Sequence, residues 1–242
     1  MKNRYFGDLY DYIKYSLIRQ LADSGGSRAV ICWMLTEDGV GKDGQRTNYL
    51  REPGRWSSFE PDVFDFLRHQ LLDRGTRNIR AIERSNLLDN CRFFSTILTD
   101  DGSQRDRYFD QFIGFARGAQ FVFFDPDNGV EVKSVKYGRK NSSKYLYWNE
   151  IERALRANHT LLIYQHLPPK PRRPLIRHVT GRLLKASQIG IVHTIRTRRV
   201  AFFLVPRRGS VAQLRNRLTG AERKWKGILT VSEHRINESE PD

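Results

Sequence analysis

The sequence predicts an α/β domain: a mostly parallel sheet with helices on both faces, closed by an antiparallel pair of C-terminal strands. Three observations predict it. Stretches of helical period alternate with short apolar runs along most of the chain. The runs AVICWML (29–35), QFVFFD (120–125) and TLLIYQH (160–166) lack polar alternation, as strands buried on both faces do. The last two runs, GIVHTIRT (190–197) and RVAFFLVP (199–206), follow each other directly, as an antiparallel pair does.

The elements can be justified in order. YFGDLYDYIKYSLIRQLAD places Tyr10, Ile13, Leu17 and Leu21 at helical spacing, and Ser-Gly-Gly at 24–26 stops the helix. The strand at 29–35 runs into a polar, glycine-bearing loop, TEDGVGKDGQRT. Pro61 opens a second amphipathic helix over 61–75. NIRAIE (78–83) and CRFFSTIL (91–98) read as two further strands, and 105–118 as a helix. QFVFFD is the strongest strand signal, NEIERALRAN a helix capped by Asn149, and TLLIYQH the next strand. A basic helix, LIRHVTGRLLKAS, precedes the final pair, giving seven strands in all. There is no internal repeat or low-complexity linker, so residues 1–230 read as one domain and 231–242 as a disordered tail.

Composition narrows the function classes. No apolar run approaches the roughly 18 residues of a membrane span, and the N-terminus has acids and tyrosines where a secretory signal needs an apolar core. A cytoplasmic protein is expected, with Cys32 and Cys91 as buried thiols. Lys and Arg number 42 against 27 Asp and Glu, a net charge of +15. Between His166 and Lys226 sixteen are Lys or Arg, and Glu222 is the one acid. A one-signed field of this kind serves a polyanion, so nucleic acid is the expected partner, with Lys144, Arg172, Arg173, Arg198 and Arg199 as candidate phosphate contacts.

In parallel sheets ligands bind at the carboxyl ends of strands. Thr36 and the glycines after it, Glu83, the segment 125–129 and Gln165-His166 all follow predicted strand ends, and should converge on one edge.

The N-terminal segment Gly7-Asp-Leu-Tyr-Asp11-Tyr-Ile-Lys14 resembles the GNHADxLKH segment that opens bacterial 23S ribosomal RNA adenine-N6 methyltransferases, with glycine, aspartate and lysine in register. Further likenesses follow over residues 4–206. Leu-Thr36-Glu-Asp-Gly39-Val-Gly41 is similar to the family's strand-end Gly-x-Gly loop, and Glu83 sits where the family has an acid for the ribose hydroxyls. Asp125-Pro126 matches the first half of the (D/N)PP(Y/F) motif, and Tyr164-Gln-His166-Leu-Pro is similar to a Trp-Tyr-Pro at the following strand end. The resemblance implies a Rossmann-like methyltransferase fold and S-adenosylmethionine held by Lys14, Thr36, Gly39, Gly41 and Glu83. It implies a reaction at Asp125, Pro126, Asp127, Asn128 and His166. An exocyclic amine is a poor nucleophile because its lone pair is delocalised. A carboxylate and the Pro126 carbonyl would accept its hydrogens and aim the nitrogen at the sulfonium methyl. Asp127 and Asn128 stand where the family has a second proline and an aromatic; Tyr5, Tyr10, Tyr145 or Tyr164 are the residues to stack a base instead.

The same residues admit other readings. Asp-Asn-Gly is a hairpin signal, which would pair 121–125 with 130–135. Asp125 with Glu131 and Lys133 then resembles the D…ExK corner of Mg²⁺-dependent nucleases. A third reading is a catalytically degenerate nucleic-acid-binding module, and a fourth a plain surface turn. The remaining histidines, His69, His159, His178, His193 and His234, have no metal-ligand spacing.

Overall fold

In the computed structural model, which describes residues 1–22, 28–38, 46–169 and 171–236, each long apolar run of the sequence becomes a strand of one mixed sheet. The strands are β1 (Ala29–Cys32), β2 (Cys91–Phe94), β3 (Phe121–Phe124), β4 (Thr160–His166), β5 (Ile191–Arg196), β6 (Val200–Val205) and β7 (Thr230–Arg235). The helices are α1 (Leu9–Leu21), α2 (Pro61–Arg68, continued by a π turn, His69–Asp73), α3 (Gly102–Phe115), α4 (Trp148–Arg156), α5 (Arg172–Ala186) and α6 (Val211–Lys224).

The sheet runs β2-β1-β3-β4-β6-β5-β7. The first four are parallel, and β6, β5 and β7 follow with antiparallel pairings. Alternate residues of each buried strand face opposite layers. Ile31, Phe123, Leu162 and Phe202 pack with α1, α2 and α6; Cys32, Phe124, Ile163 and Phe203 pack with α3, α4 and α5. The protein is thus an α/β sandwich with a buried, mostly parallel sheet between two helical layers.

The seven strands are not the seven that the sequence predicts. Residues 78–83 end in a helical turn, Arg80–Glu83, and the Asn78 side chain supports its start by accepting the Arg80 N–H at 2.9 Å. The seventh strand is β7, in the segment expected to be a disordered tail from residue 231; it pairs antiparallel with β5 from Ile191 opposite Arg235 to Arg196 opposite Thr230. The hairpin alternative at Asp-Asn-Gly also gives way. Gly129–Val130 pairs in parallel with Tyr145–Leu146, so the chain leaves β3 without turning back on it. Helix α4 is capped two residues earlier than expected, at Tyr147 rather than Asn149, and the Tyr147 N–H donates to Glu150 Oε2 at 2.8 Å. Among the described residues no helix is long and apolar enough to cross a membrane.

Candidate functional site at the carboxyl edge of the sheet

Strands β1 and β3 end in register, with Cys32 opposite Phe124, while β4 runs on from Ile163, opposite Phe124, as far as His166. Asp125 therefore leaves the sheet beside Tyr164, which stays within β4. Helix α1 lies across this edge and carries a charge into it. Gly7, at φ +81°, turns the chain into the helix, and its N–H donates to Asp11 Oδ2 at 3.0 Å. A side chain there would be strained by its backbone angle and would also meet Leu71, at 2.5 Å from a Cβ. Asp8 caps the helix, accepting the Tyr10 N–H at 2.9 Å.

One turn apart on one face, Asp11 and Lys14 complete a buried chain of charge. Lys14 Nζ donates to Asp11 Oδ1 at 2.8 Å and to Asp125 Oδ2 at 2.6 Å, and sits 5.2 Å from the centre of the Tyr164 ring. Lys14 is 3% exposed and Asp125 2%. Burial pulls the lysine's pKa down, but the two carboxylates outweigh it and hold it above the ordinary range, so Lys14 stays an ammonium. Burial pushes both carboxyl pKa values up, against the pull of Lys14.

A second polar group sits at the ends of β1 and β3. The Met1 amino group donates to Met34 O and Asp125 O, both at 3.1 Å, and pairs with Asp127 Oδ1 at 2.7 Å. Asp127 Oδ2 accepts the Thr36 hydroxyl at 3.3 Å, and the Thr36 N–H donates to Met1 O at 2.9 Å. Met34 adopts a left-handed φ of 45°, a strained angle for a non-glycine residue at the strand's end.

These residues surround a cleft of about 570 Å³. Asp11, Lys14, Asp125 and Tyr164 are its buried lining, Tyr10 is half-buried, and Arg46, His166 and Arg199 are exposed at its mouth. The segment 126–130 is fastened from the neighbouring strand by Gln165. Its Nε2 donates to Asn128 O at 2.8 Å and its Oε1 accepts the Val130 N–H at 2.9 Å. Gly129, at φ +115°, leaves room for that side chain, which a Cβ would meet at 2.3 Å. The Asn128 N–H donates to Lys144 O at 2.9 Å, tying in the basic loop that follows. The far side of that loop is held by Asp100, which accepts the Asn141 and Ser143 N–H groups at 2.8 Å each. Burial works against that carboxylate's charge, but the bonds from Ser143 and Asn141 keep its pKa below the usual range.

Of the residues singled out in the sequence, Lys14, Asp125, Pro126, Asp127, Asn128 and His166 line one cleft. Lys14 is paired with Asp11 and Asp125. Thr36 stands beside the cleft on Asp127, while Gly39 and Gly41 lie outside the described residues. Glu83 does not follow a strand. It bridges the ends of β1 and β2 instead, accepting from Trp33 Nε1 at 2.9 Å and Ser95 Oγ at 2.5 Å. Glu131 and Lys133 are not among the residues lining the cleft. Glu131 Oε2 accepts the Trp148 N–H at 3.3 Å, its Oε1 lies 3.9 Å from Arg182, and Lys133 is exposed. Arg198 and Arg199 sit on the β5–β6 turn, joined to the end of β4 where the Leu167 N–H donates to Arg199 O at 2.8 Å. Arg172 and Arg173 open α5, the next element after β4. Among the described residues, no three His, Cys, Asp or Glu side chains gather as metal ligands.

Sequence reasoning missed Asp8, Arg46 and the fastening role of Gln165, which it places at the edge only as a strand-end residue. The helix cap was a readable signal for Asp8, and the glutamine at a strand's end beside His166 was one for Gln165; Arg46 had none.

No family model matches the chain, and no curated protein matches it. Among solved structures, the chain is similar to a Legionella pneumophila protein assigned to the family model DUF519. The identity is 10%, covering 96% of this chain and 98% of that one, at a TM-score of 0.47.

Proposed function

We propose that the protein is an S-adenosylmethionine-dependent methyltransferase that acts on an exocyclic amine of a nucleic-acid base. The observation that carries this reading is the cleft at Asp125. An Asp-Pro leaves a buried parallel strand, an adjacent strand supplies Tyr164 and His166, and a cationic rim surrounds them. The sheet is in keeping with it, since parallel strands are followed by an antiparallel hairpin as expected, although there are four parallel strands rather than five and β7 is added at the edge.

The groups at the ends of β1 and β3 suit the amino-acid end of the cofactor. An α-ammonium finds three acceptors there, at Met34 O, Asp125 O and Asp127, and a carbonyl finds the Thr36 N–H; Met1 takes all of them here. Bound cofactor would compete with Met1 for these groups, and Glu83 is the acid nearest the ends of β1 and β2 for ribose hydroxyls. The cofactor supplies an electrophilic methyl on sulfur. Asp125 and the Pro126 carbonyl accept the amine's two hydrogens and hold its nitrogen in line, which is a positioning effect. Lys14 holds Asp125 in place and pulls against the burial that raises its pKa.

Calorimetry with S-adenosylmethionine and with its demethylated product tests the reading. Heat with both ligands, and methyl incorporation into RNA or DNA, is the expected result. No heat, together with Mg²⁺-dependent cutting of RNA or DNA, transfers the assignment to a nuclease. No response of either kind leaves a binding module.

A further inference from the structure

Resting on the nucleic-acid reading of the cleft, we propose that Tyr10, Arg46 and Arg199 form a clamp for the sugar-phosphate side of one extruded nucleotide, with Asp8 holding two of them in position. None of these residues belongs to the motifs at Asp125, and each lines the same cleft.

The clamp is built on fixed backbone. Asp8 accepts the Tyr10 N–H through Oδ1 at 2.9 Å and the Arg46 N–H through Oδ2 at 3.0 Å, and the Leu9 N–H donates to Arg46 O at 3.1 Å. The Arg46 guanidinium lies 5.7 Å from the Tyr10 ring centre and donates to its hydroxyl at 3.0 Å. A tyrosine ring and a guanidinium plane joined this way offer a flat surface of the kind on which bases and sugars stack. Arg199 enters from the β5–β6 turn, near enough for its charge to act on Tyr10. Among the described residues neither Arg46 nor Arg199 has a carboxylate within ion-pair distance, although both are exposed beside a cleft that holds Asp8, Asp11, Asp125 and Asp127. Unpaired guanidinium groups are bidentate phosphate receptors.

Charge then fixes the ligand's orientation. At the buried end four carboxyl groups, Asp8, Asp11, Asp125 and Asp127, stand against the two ammonium groups of Lys14 and Met1, so that end disfavours a phosphate and offers acceptors to an amine. The mouth offers two guanidinium groups, which attract the phosphate. A cleft of about 570 Å³ falls within the roughly 300–1,000 Å³ usual for small-ligand sites, enough for one nucleotide unit.

The test is fluorescence anisotropy with a labelled nine-residue single-stranded oligoadenylate over a salt series, each variant first checked for an unchanged circular-dichroism melt. Arg46→Ala and Arg199→Ala should each reduce the slope of log affinity against log salt by about 0.7, the share of one phosphate contact on a single strand. Tyr10→Ala should lose roughly ten-fold in affinity with the slope unchanged, and Tyr10→Phe should keep most of it. Arg156→Ala, an exposed arginine on α4 outside the cleft, is the control for general charge. If Arg46→Ala and Arg199→Ala do no more than Arg156→Ala, or Tyr10→Ala binds like the parent, there is no clamp. Cofactor is absent from this assay, so the clamp and methyl transfer fail separately. Intact clamp behaviour without cofactor heat removes only the methyltransferase, and wild-type binding by the variants with methyl transfer preserved removes only the clamp.

Discussion

Among the described residues Lys14 is the side-chain cation paired with Asp11 and Asp125, and both carboxylates are buried. Removing one partner of a buried charge group leaves the others uncompensated, at a cost of about 3–5 kcal/mol. Lys14→Met should therefore lower the urea-unfolding free energy by about that amount, or force a carboxyl to bind a proton and so shift stability towards acid. Asp125→Asn keeps an oxygen that can accept from Lys14 and should be milder; it should fold and keep part of the methyl transfer, whereas Asp125→Ala should abolish it. Filter-binding of a radioactive methyl group to RNA reads both variants, and activity left intact in Asp125→Ala would place the chemistry elsewhere. Gly7→Ala combines a left-handed backbone with the Leu71 collision, and should cost at least about 1–2 kcal/mol in thermal unfolding.

Element by element, the apolar runs were legible because burial on both faces leaves no room for polar alternation, as in β3 and β4. The 78–83 segment was misread because its apolar residues suit a strand while the turn is supported by one local bond to the Asn78 side chain. Strand β7 was hidden for the opposite reason. Its residues are polar because it is an edge, held by charge: Glu233 takes the Arg215 fork at 2.6 and 2.9 Å and Arg235 at 2.7 Å. The bond from Arg215, with Arg235 and His193 adding to it against some burial, brings the Glu233 pKa down from 4.5 to about 2. A carboxyl depressed on folding stabilises above its unfolded pKa and loses that contribution as pH falls through the folded one. The hold on β7 should be complete above about pH 4.5 and gone near pH 2, and Glu233→Gln should remove this part of the pH dependence. Amide exchange of residues 230–235 against pH measures it. In the cleft, Asp125, Asp127, Asn128 and His166 were legible as strand-end residues, but Gln165 was legible only as their neighbour, since its role depends on Gly129 lying opposite.

At the scale of the whole molecule, the β5–β6 turn carries Arg198 and Arg199, the latter lining the cleft, and the start of α5, the next helix after β4, carries Arg172 and Arg173. Reversing all four charges should weaken binding to every polynucleotide alike and flatten the salt dependence. Gel-shift titrations at several salt concentrations check this, and binding that ignores salt would refute it.

Helix α1, which carries Lys14, is covered from the far end of the chain. Trp225 stacks on Phe59 at 4.7 Å between ring centres, its Nε1 donates to Ser16 Oγ at 2.8 Å, and Lys224 reaches Glu60 at 2.5 Å. On the ribosome, Lys224 and Trp225 emerge after α1, Phe59 and Glu60. Until they do, Ser16 lacks its partner and Tyr12 has only the cover of Tyr49 and Phe64. Such long-range closure is slow, and it leaves apolar surface open meanwhile. A nascent chain arrested before Trp225 clears the exit tunnel should thus hold α1 only partly covered, and should be a substrate for chaperones.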